Sequence, residues 1–185
     1  MIHPSAIIHP EAKLSANVSV GPWSIIEANV TLGEGCEVGA HCHLQGHSEF
    51  GVNNKIYSFC ALGGDTQDKK FKEEKNSTLE IGAGNTIREY VSINRGTNDG
   101  GGNTLIGDNN WIMAYVHVAH DCVVGNETVF ANNVTLSGHV IIDDFVILGG
   151  FTGVHQFCRV GSYSFSAISS VIVKDVPPYV LVSGN

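Results

Sequence analysis

The stretch VHVAHDC, residues 116–122, sets His117 and His120 three apart and puts Asp121 and Cys122 directly after the second histidine. Such a group can do acid-base chemistry. An imidazole titrating near neutrality takes a proton from a hydroxyl, and an adjacent carboxylate orients the ring and steadies its charged form. It can equally hold zinc, since three histidines with an open fourth position make a catalytic zinc centre. Farther along lie His139, with Gly138 directly before it, and His155. Gly138 could bring a backbone N–H close to a developing oxyanion with no side chain in the way.

What must position these residues is a repeat of six. Stepping by six from Ile2 meets Ile8, Leu14, Val20, Ile26, Leu32, Val38, Leu44, Phe50, Ile56 and Leu62 without a miss. The register resumes at Ile81, Ile87 and Ile93, then at Ile106 and onward to Val160, skips at Ser166 and returns at Ile172. Four residues after each hit stands a small or medium side chain, as at Ala6, Val18, Ser24, Cys36, Val116 and Thr128. One large and one small inward residue per hexad point to an all-β fold, a parallel β-helix of hexapeptide repeats with about 18 residues per coil. Glycines between the hits, Gly33, Gly39, Gly51, Gly107 and Gly125, are expected at corners that need unusual backbone angles. Residues 68–80 and 99–105 break the register and are expected as loops expelled from the coil, where repeat proteins often place binding.

Aligned on an 18-residue coil, His120, His139 and His155 fall within one residue of the same position in successive coils. They are therefore expected along one edge of the prism, rising by about 4.8 Å per coil. All five cysteines, Cys36, Cys42, Cys60, Cys122 and Cys158, take the small inward position. They read as core, with thiol pKa values raised by burial, which argues against a nucleophile or a metal ligand.

The 185 residues suit a single domain over 1–185, and the net charge of -8 argues against a protein that must neutralise many phosphates. No basic n-region with an apolar run opens the chain, and no window approaches the ~20 apolar residues of a membrane span, so a cytoplasmic protein is expected. Lys69, Lys70, Lys72 and Lys75 place four of the ten basic residues in the first insertion, which suggests an acidic partner.

Several stretches resemble one family in particular: QDKKF, IREYVSINRGT, GGGNT, HVAHDCVVGN, LSGHVIIDDFVILGG, VHQFCRVG and DVPPYVLVSGN. In this order they are similar to the bacterial UDP-N-acetylglucosamine O-acyltransferases that begin lipid A synthesis. The resemblance implies a left-handed β-helix, a homotrimer with sites between subunits, and no metal or dissociable cofactor. The implied reaction moves an (R)-3-hydroxyacyl group from acyl carrier protein to the glucosamine 3-hydroxyl of UDP-N-acetylglucosamine. His120 would be the general base, Asp121 its support, and Gly138 the oxyanion donor. His117, His139, His155, Gln156, Asp68 and Lys70 would bind substrate, the lysine-rich loop would meet the acidic carrier, and Ile168 would limit acyl length. Asn94 stands where the family commonly has histidine. Family members also continue past Gly184–Asn185 into a helical segment, so a β-helix alone, without a C-terminal helical domain, is expected. A hexapeptide-repeat zinc hydratase and a non-catalytic carrier-binding module are the competing readings.

Overall fold

In the computed structural model, which describes residues 1–70 and 77–184, short parallel strands line three faces of a prism. The first face carries nine strands, from Ile7–Ile8 to Val171–Ile172. The second carries eight, from Lys13–Leu14 to Arg159–Val160, and the third nine, from Ser19–Val20 to Leu181–Val182. Up to Val171–Ile172 the chain visits the faces in that order, so every third strand returns to the same sheet. On the last pass the second face is touched only by the bridge of Val176 to Val160 before Leu181–Val182 joins the third.

Register follows the repeat. Ile7 pairs with Ile25 and His117 with Thr135, each 18 residues on. Phe50 pairs with Ile81 and Ile81 with Ile106, so two coils carry 13 and 7 residues beyond that step. The chain leaves the regular coil after Gly64 and rejoins it at Thr78, and the second departure takes up 96–102, a few positions earlier than the sequence suggested. Residues 78–80 and 103–105 belong instead to the strands Thr78–Ile81 and Asn103–Ile106, whose ladder hydrogen bonds recruit them. Both departures leave from the edge between the first and second faces.

The large inward residues stack in columns. Leu44, Leu62, Ile93, Val118, Leu136 and Val154 are all buried on the first face, each contributing roughly 1.5–3 kcal/mol by leaving water. The missed hit, Ser166, is buried too, but its hydroxyl is satisfied by Thr152 Oγ1 at 2.8 Å and by the Gly149 N–H at 3.0 Å. All five cysteines are buried and free. Burial raises the pKa of Cys36 and Cys158 and pushes Cys122 up to about 12. The Cys42–Cys60 pair divides: their contact raises Cys60, whereas the Cys60 S–H draws Cys42 down to about 7.

The corner glycines do a different job from the one expected. Gly33, Gly39, Gly51, Gly107 and Gly125 have no positive φ, but a Cβ on each would meet the next coil's backbone at 2.9 Å or less. They permit close stacking of coils. Among the described residues eighteen non-glycine residues have a positive φ, Asp121 and His139 among them, while Gly35 and Gly84 are glycines that do take the left-handed conformation. Among the described residues no helix is long and apolar enough to cross a membrane.

Candidate active site

The edge between the first and second faces gathers the predicted chemistry. His117 lies on the strand His117–Val118, and the turn that follows carries His120 and Asp121. One coil on, Gly138 takes the place of His120 and His139 that of Asp121. A further coil on stand Gln156 and Phe157.

Asp121 is the fixed point, with its side chain 1% exposed. Its Oδ1 accepts from Thr97 N at 2.8 Å, and its Oδ2 accepts from Thr97 Oγ1 at 2.7 Å. The Thr97 hydroxyl itself accepts from Gly100 N at 3.2 Å, so its proton is directed at the carboxylate. A Cβ on Gly100 would overlap Asp121, which explains why the second insertion carries glycine over this carboxyl group. The remaining partner of Oδ2 is His120 Nδ1 at 2.7 Å. A carboxylate only accepts, so Nδ1 carries the proton and Nε2 presents its lone pair.

That Nε2 faces Gly138. A methyl group there would stand 2.7 Å from Cε1 and 2.8 Å from Nε2, and the Gly138 N–H donates to no acceptor among the described residues. His139 meets His120 edge-on, with centroids 5.1 Å apart, and stacks on Phe157 at 4.5 Å. Its Nε2 lies 3.9 Å from Asp121 Oδ2. His117 Nδ1 bonds Ser92 Oγ at 2.8 Å, and burial, with a smaller contribution from His120, lowers the His117 pKa.

Two cavities meet at His120. One, of about 320 Å³, is lined by His117, Ala119, Leu136, Ser137 and Gly138. The other, of about 570 Å³, is lined by Lys70, Thr97, Gly100, His139 and Phe157. Asp68, Thr66, His120 and Gln156 line both. The first insertion thus brings Asp68 and Lys70 to the histidines, as the spacing alone could not show. Lys69 is exposed beside them, while Lys72 and Lys75 lie outside the described residues.

Two predicted residues stand apart. His155 is on this edge but exposed, with Nδ1 on the Gln156 carbonyl at 3.1 Å, and it lines neither cavity. The one-residue offset turns it away, so the coil-to-coil partner of His120 is Gly138 and not another histidine. Ile168, 70% exposed, lies on a different edge, between the third and first faces. Sequence reasoning assigned no role to Thr97, Gly100 or Thr66. The run Gly100–Gly102 was the available signal, because only a close approach explains Gly100.

Among the described residues, those able to share a metal are His120, Asp121 and His139, with ligand atoms within 4.8 Å of one another. Both oxygens of Asp121 already accept hydrogen bonds, one of them from His120 itself, so metal binding would have to break the arrangement that aims Nε2.

The family model for the bacterial transferase hexapeptide (six repeats) matches residues 11–46 and 103–138. Over its full length the chain is 54% identical to an acyl-(acyl-carrier-protein)–UDP-N-acetylglucosamine O-acyltransferase of Thiobacillus denitrificans, covering 71% of that relative. The chain belongs to this acyltransferase family. A relative of the same name from Pseudomonas paraeruginosa is 52% identical, with 100% of this chain and 71% of the relative covered. Among solved structures, LpxA from Acinetobacter baumannii superposes with a TM-score of 0.97 at 46% identity, covering 100% of this chain and 71% of that one. UDP-N-acetylglucosamine acyltransferase from Campylobacter jejuni gives 0.96 at 38%, covering 100% and 72%. The fold is accordingly the left-handed parallel β-helix of these enzymes.

Proposed function

We propose that this chain transfers an (R)-3-hydroxyacyl group from acyl carrier protein to the 3-hydroxyl of UDP-N-acetylglucosamine, a step of lipid A biosynthesis. The observation that carries the reading is His120, fixed through Nδ1 by a buried carboxylate and free at Nε2 where two cavities meet. His120 Nε2 removes the proton of the sugar hydroxyl as its oxygen attacks the thioester carbonyl. The Gly138 N–H donates to the oxyanion, and Asp121 steadies the imidazolium. Collapse breaks the C–S bond, and the imidazolium returns its proton to the departing thiolate of the carrier. A thioester is already activated, so alignment and one proton transfer suffice. No acyl-enzyme is needed, consistent with five buried cysteines.

Asp68, Lys70, His117, His139 and Gln156 bind the substrates, and exposed Lys69 and Lys70 steer the acidic carrier. Three copies around a threefold axis would let a neighbouring subunit bring a second edge to this one. That assembly gives His155 and Ile168 a route to substrate that the single chain lacks, with Ile168 setting a short acyl limit. Ile168→Gly should then shift the preferred donor toward longer chains.

The test is acyl transfer to UDP-N-acetylglucosamine from a panel of 3-hydroxyacyl carrier proteins, comparing the chain with His120→Ala. Turnover that falls about 100- to 10,000-fold in the variant supports the general base. Carrier binding without turnover in the intact chain would favour the non-catalytic module. Stoichiometric zinc that disappears with His120→Ala would favour the hydratase.

A further inference from the structure

The loop that brings Asp68 and Lys70 into the site is joined to the coil through residues 64–66, and that root is held from one place. Arg95 Nη2 lies 2.6 Å from Asp65 Oδ1, with the arginine side chain only 13% exposed. Its neighbour Asn94 donates through Nδ2 to the Asp65 carbonyl at 2.7 Å and to the Gly64 carbonyl at 3.4 Å. The Arg95 N–H donates to the same Gly64 carbonyl at 3.0 Å. Backbone and side chains of two consecutive residues therefore converge on two residues of the other insertion's root.

The surroundings are shaped for this contact. Gly46, one coil before Gly64, has a positive φ of 65°, and a Cβ there would stand 2.6 Å from the Gly63 carbonyl oxygen, 2.8 Å from Arg95 Nη1 and 3.2 Å from its Cδ. At Gly63, with φ 83°, a Cβ would overlap the Gln45 carbonyl oxygen and Ser48 Oγ. The strand register slips between Leu62 and Gly64, which turns the chain outward at Asp65. Gly46 thus leaves room for the Arg95 side chain, while Gly63 lets the chain pass close against Gln45 and Ser48 just before the loop departs. Beyond the root, Thr66 Oγ1 accepts from Asp68 N at 3.1 Å and Asp68 Oδ1 accepts from Lys70 N at 2.9 Å, so the segment is internally braced out to Lys70. Fixing the root then fixes where Asp68 and Lys70 stand.

We propose that Asn94 and Arg95 clamp the root of the first insertion, and that Arg95 is a positioning residue that holds Asp68 and Lys70 over His120 through its ion pair with Asp65. The geometry makes one strand end, Ser92–Asn94, the common anchor of both insertions. The second insertion continues from Arg95 to Thr97, which holds Asp121. Substrate-binding loop and general base are therefore referenced to the same backbone.

The inference rests on the acyltransferase reading for its kinetic consequence but not for its structural one, and two measurements separate them. Asp65→Asn is the informative substitution, because Asp65 is more than half exposed and its change leaves the core intact. In the transfer assay, Asp65→Asn and Arg95→Met should each raise KM for the sugar nucleotide about tenfold. The pH profile of kcat should stay where it is, because His120 and Asp121 are untouched. The double variant should be no worse than either single one, as expected for partners in one interaction. Independently of any activity, limited trypsinolysis should cut after Lys69 and Lys70 about ten times faster in Asp65→Asn than in the parent chain, at equal Tm. Unchanged cleavage in Asp65→Asn overturns the clamp even if the chain proves inactive. A fall in kcat with KM unchanged, or additive effects in the double variant, overturns the positioning role. Faster cleavage without turnover in the parent chain supports the clamp while rejecting the acyltransferase reading.

Discussion

The same backbone position serves two purposes on two edges of this prism. On the edge between the third and first faces, the left-handed corner residue is repeatedly aromatic. His41, Phe59, Tyr90 and Tyr115 stack at 5.1, 5.0 and 4.8 Å with planes within 3° of parallel. On the edge between the first and second faces, the equivalent residues are Asp121, His139 and Phe157, with φ of 59°, 62° and 65°. An L-residue in that conformation costs roughly 1–2 kcal/mol on either edge. Stacking offsets it on one edge, at about 0.5–1.5 kcal/mol per pair. At Asp121 the offset is a set of hydrogen bonds: its carboxylate accepts from Thr97 and His120, and its backbone N–H donates to Thr104 Oγ1. His139 and Phe157 still stack on this edge, at 4.5 Å, but at Asp121 hydrogen bonds take the place of stacking, because the second insertion supplies donors that the regular coil lacks.

The strongest test of this contrast is a matched pair of glycines. Gly138→Ala drives a methyl group into the His120 ring, whereas a Cβ at Gly150 on the other edge meets only Asn132 O at 3.4 Å and Ile168 Cγ1 at 4.0 Å. Gly138→Ala should lower kcat about 100-fold, equivalent to ~2.7 kcal/mol, with the fold kept. Gly150→Ala should leave transfer unchanged and stabilise the chain by ~0.4–1 kcal/mol, read as a small rise in Tm. Equal kinetic losses in both would erase the distinction between the edges. Next in size comes Tyr90→Ala, which removes stacks to both Phe59 and Tyr115. It should cost about 1–3 kcal/mol in denaturant unfolding and leave kcat alone. A kinetic loss there would mean that the aromatic edge also takes part in catalysis.

How far the sequence could be read follows the same division. The coil was legible because a period of six fixes which side chains turn inward, and Leu44, Leu62 and Ile93 are buried where that period puts them. The pairing of His120 with Asp121 was legible because they are adjacent. His155 stands on the expected edge but lines neither cavity, because a one-residue offset rotates a side chain around a corner and periodicity alone does not resolve that rotation. Thr97 was invisible for a different reason. It sits in an insertion, outside any register, and reaches Asp121 only because the second loop folds back over the next coil. The glycine roles inverted because a close approach between coils and a positive φ leave the same mark in a sequence.

Thr97 and His117 supply finer tests on the histidine edge. Thr97→Val removes the hydroxyl donor to Asp121 Oδ2 but keeps the backbone N–H, so kcat should fall about tenfold, ~1.4 kcal/mol, and Thr97→Ser should restore it. An unaffected Thr97→Val would mean that the backbone bond alone holds the carboxylate. His117 makes the smallest difference, visible as pH dependence. Its pKa is lowered from 6.5, first by burial, so the folded chain resists protonation that the unfolded chain accepts. More protons on the unfolded state mean that stability declines as pH falls through 6.5 toward the lower folded value. Above 6.5 the imidazole is neutral in both states and the contribution vanishes. His117→Gln removes this slope, so the Tm difference between parent and variant should be constant from pH 8 to 7 and should shift against the parent below 6.5. A difference that stays flat down to pH 5 would show that the cavity beside His120 admits enough water to solvate the charged ring. The histidine edge would then be as open as the aromatic one.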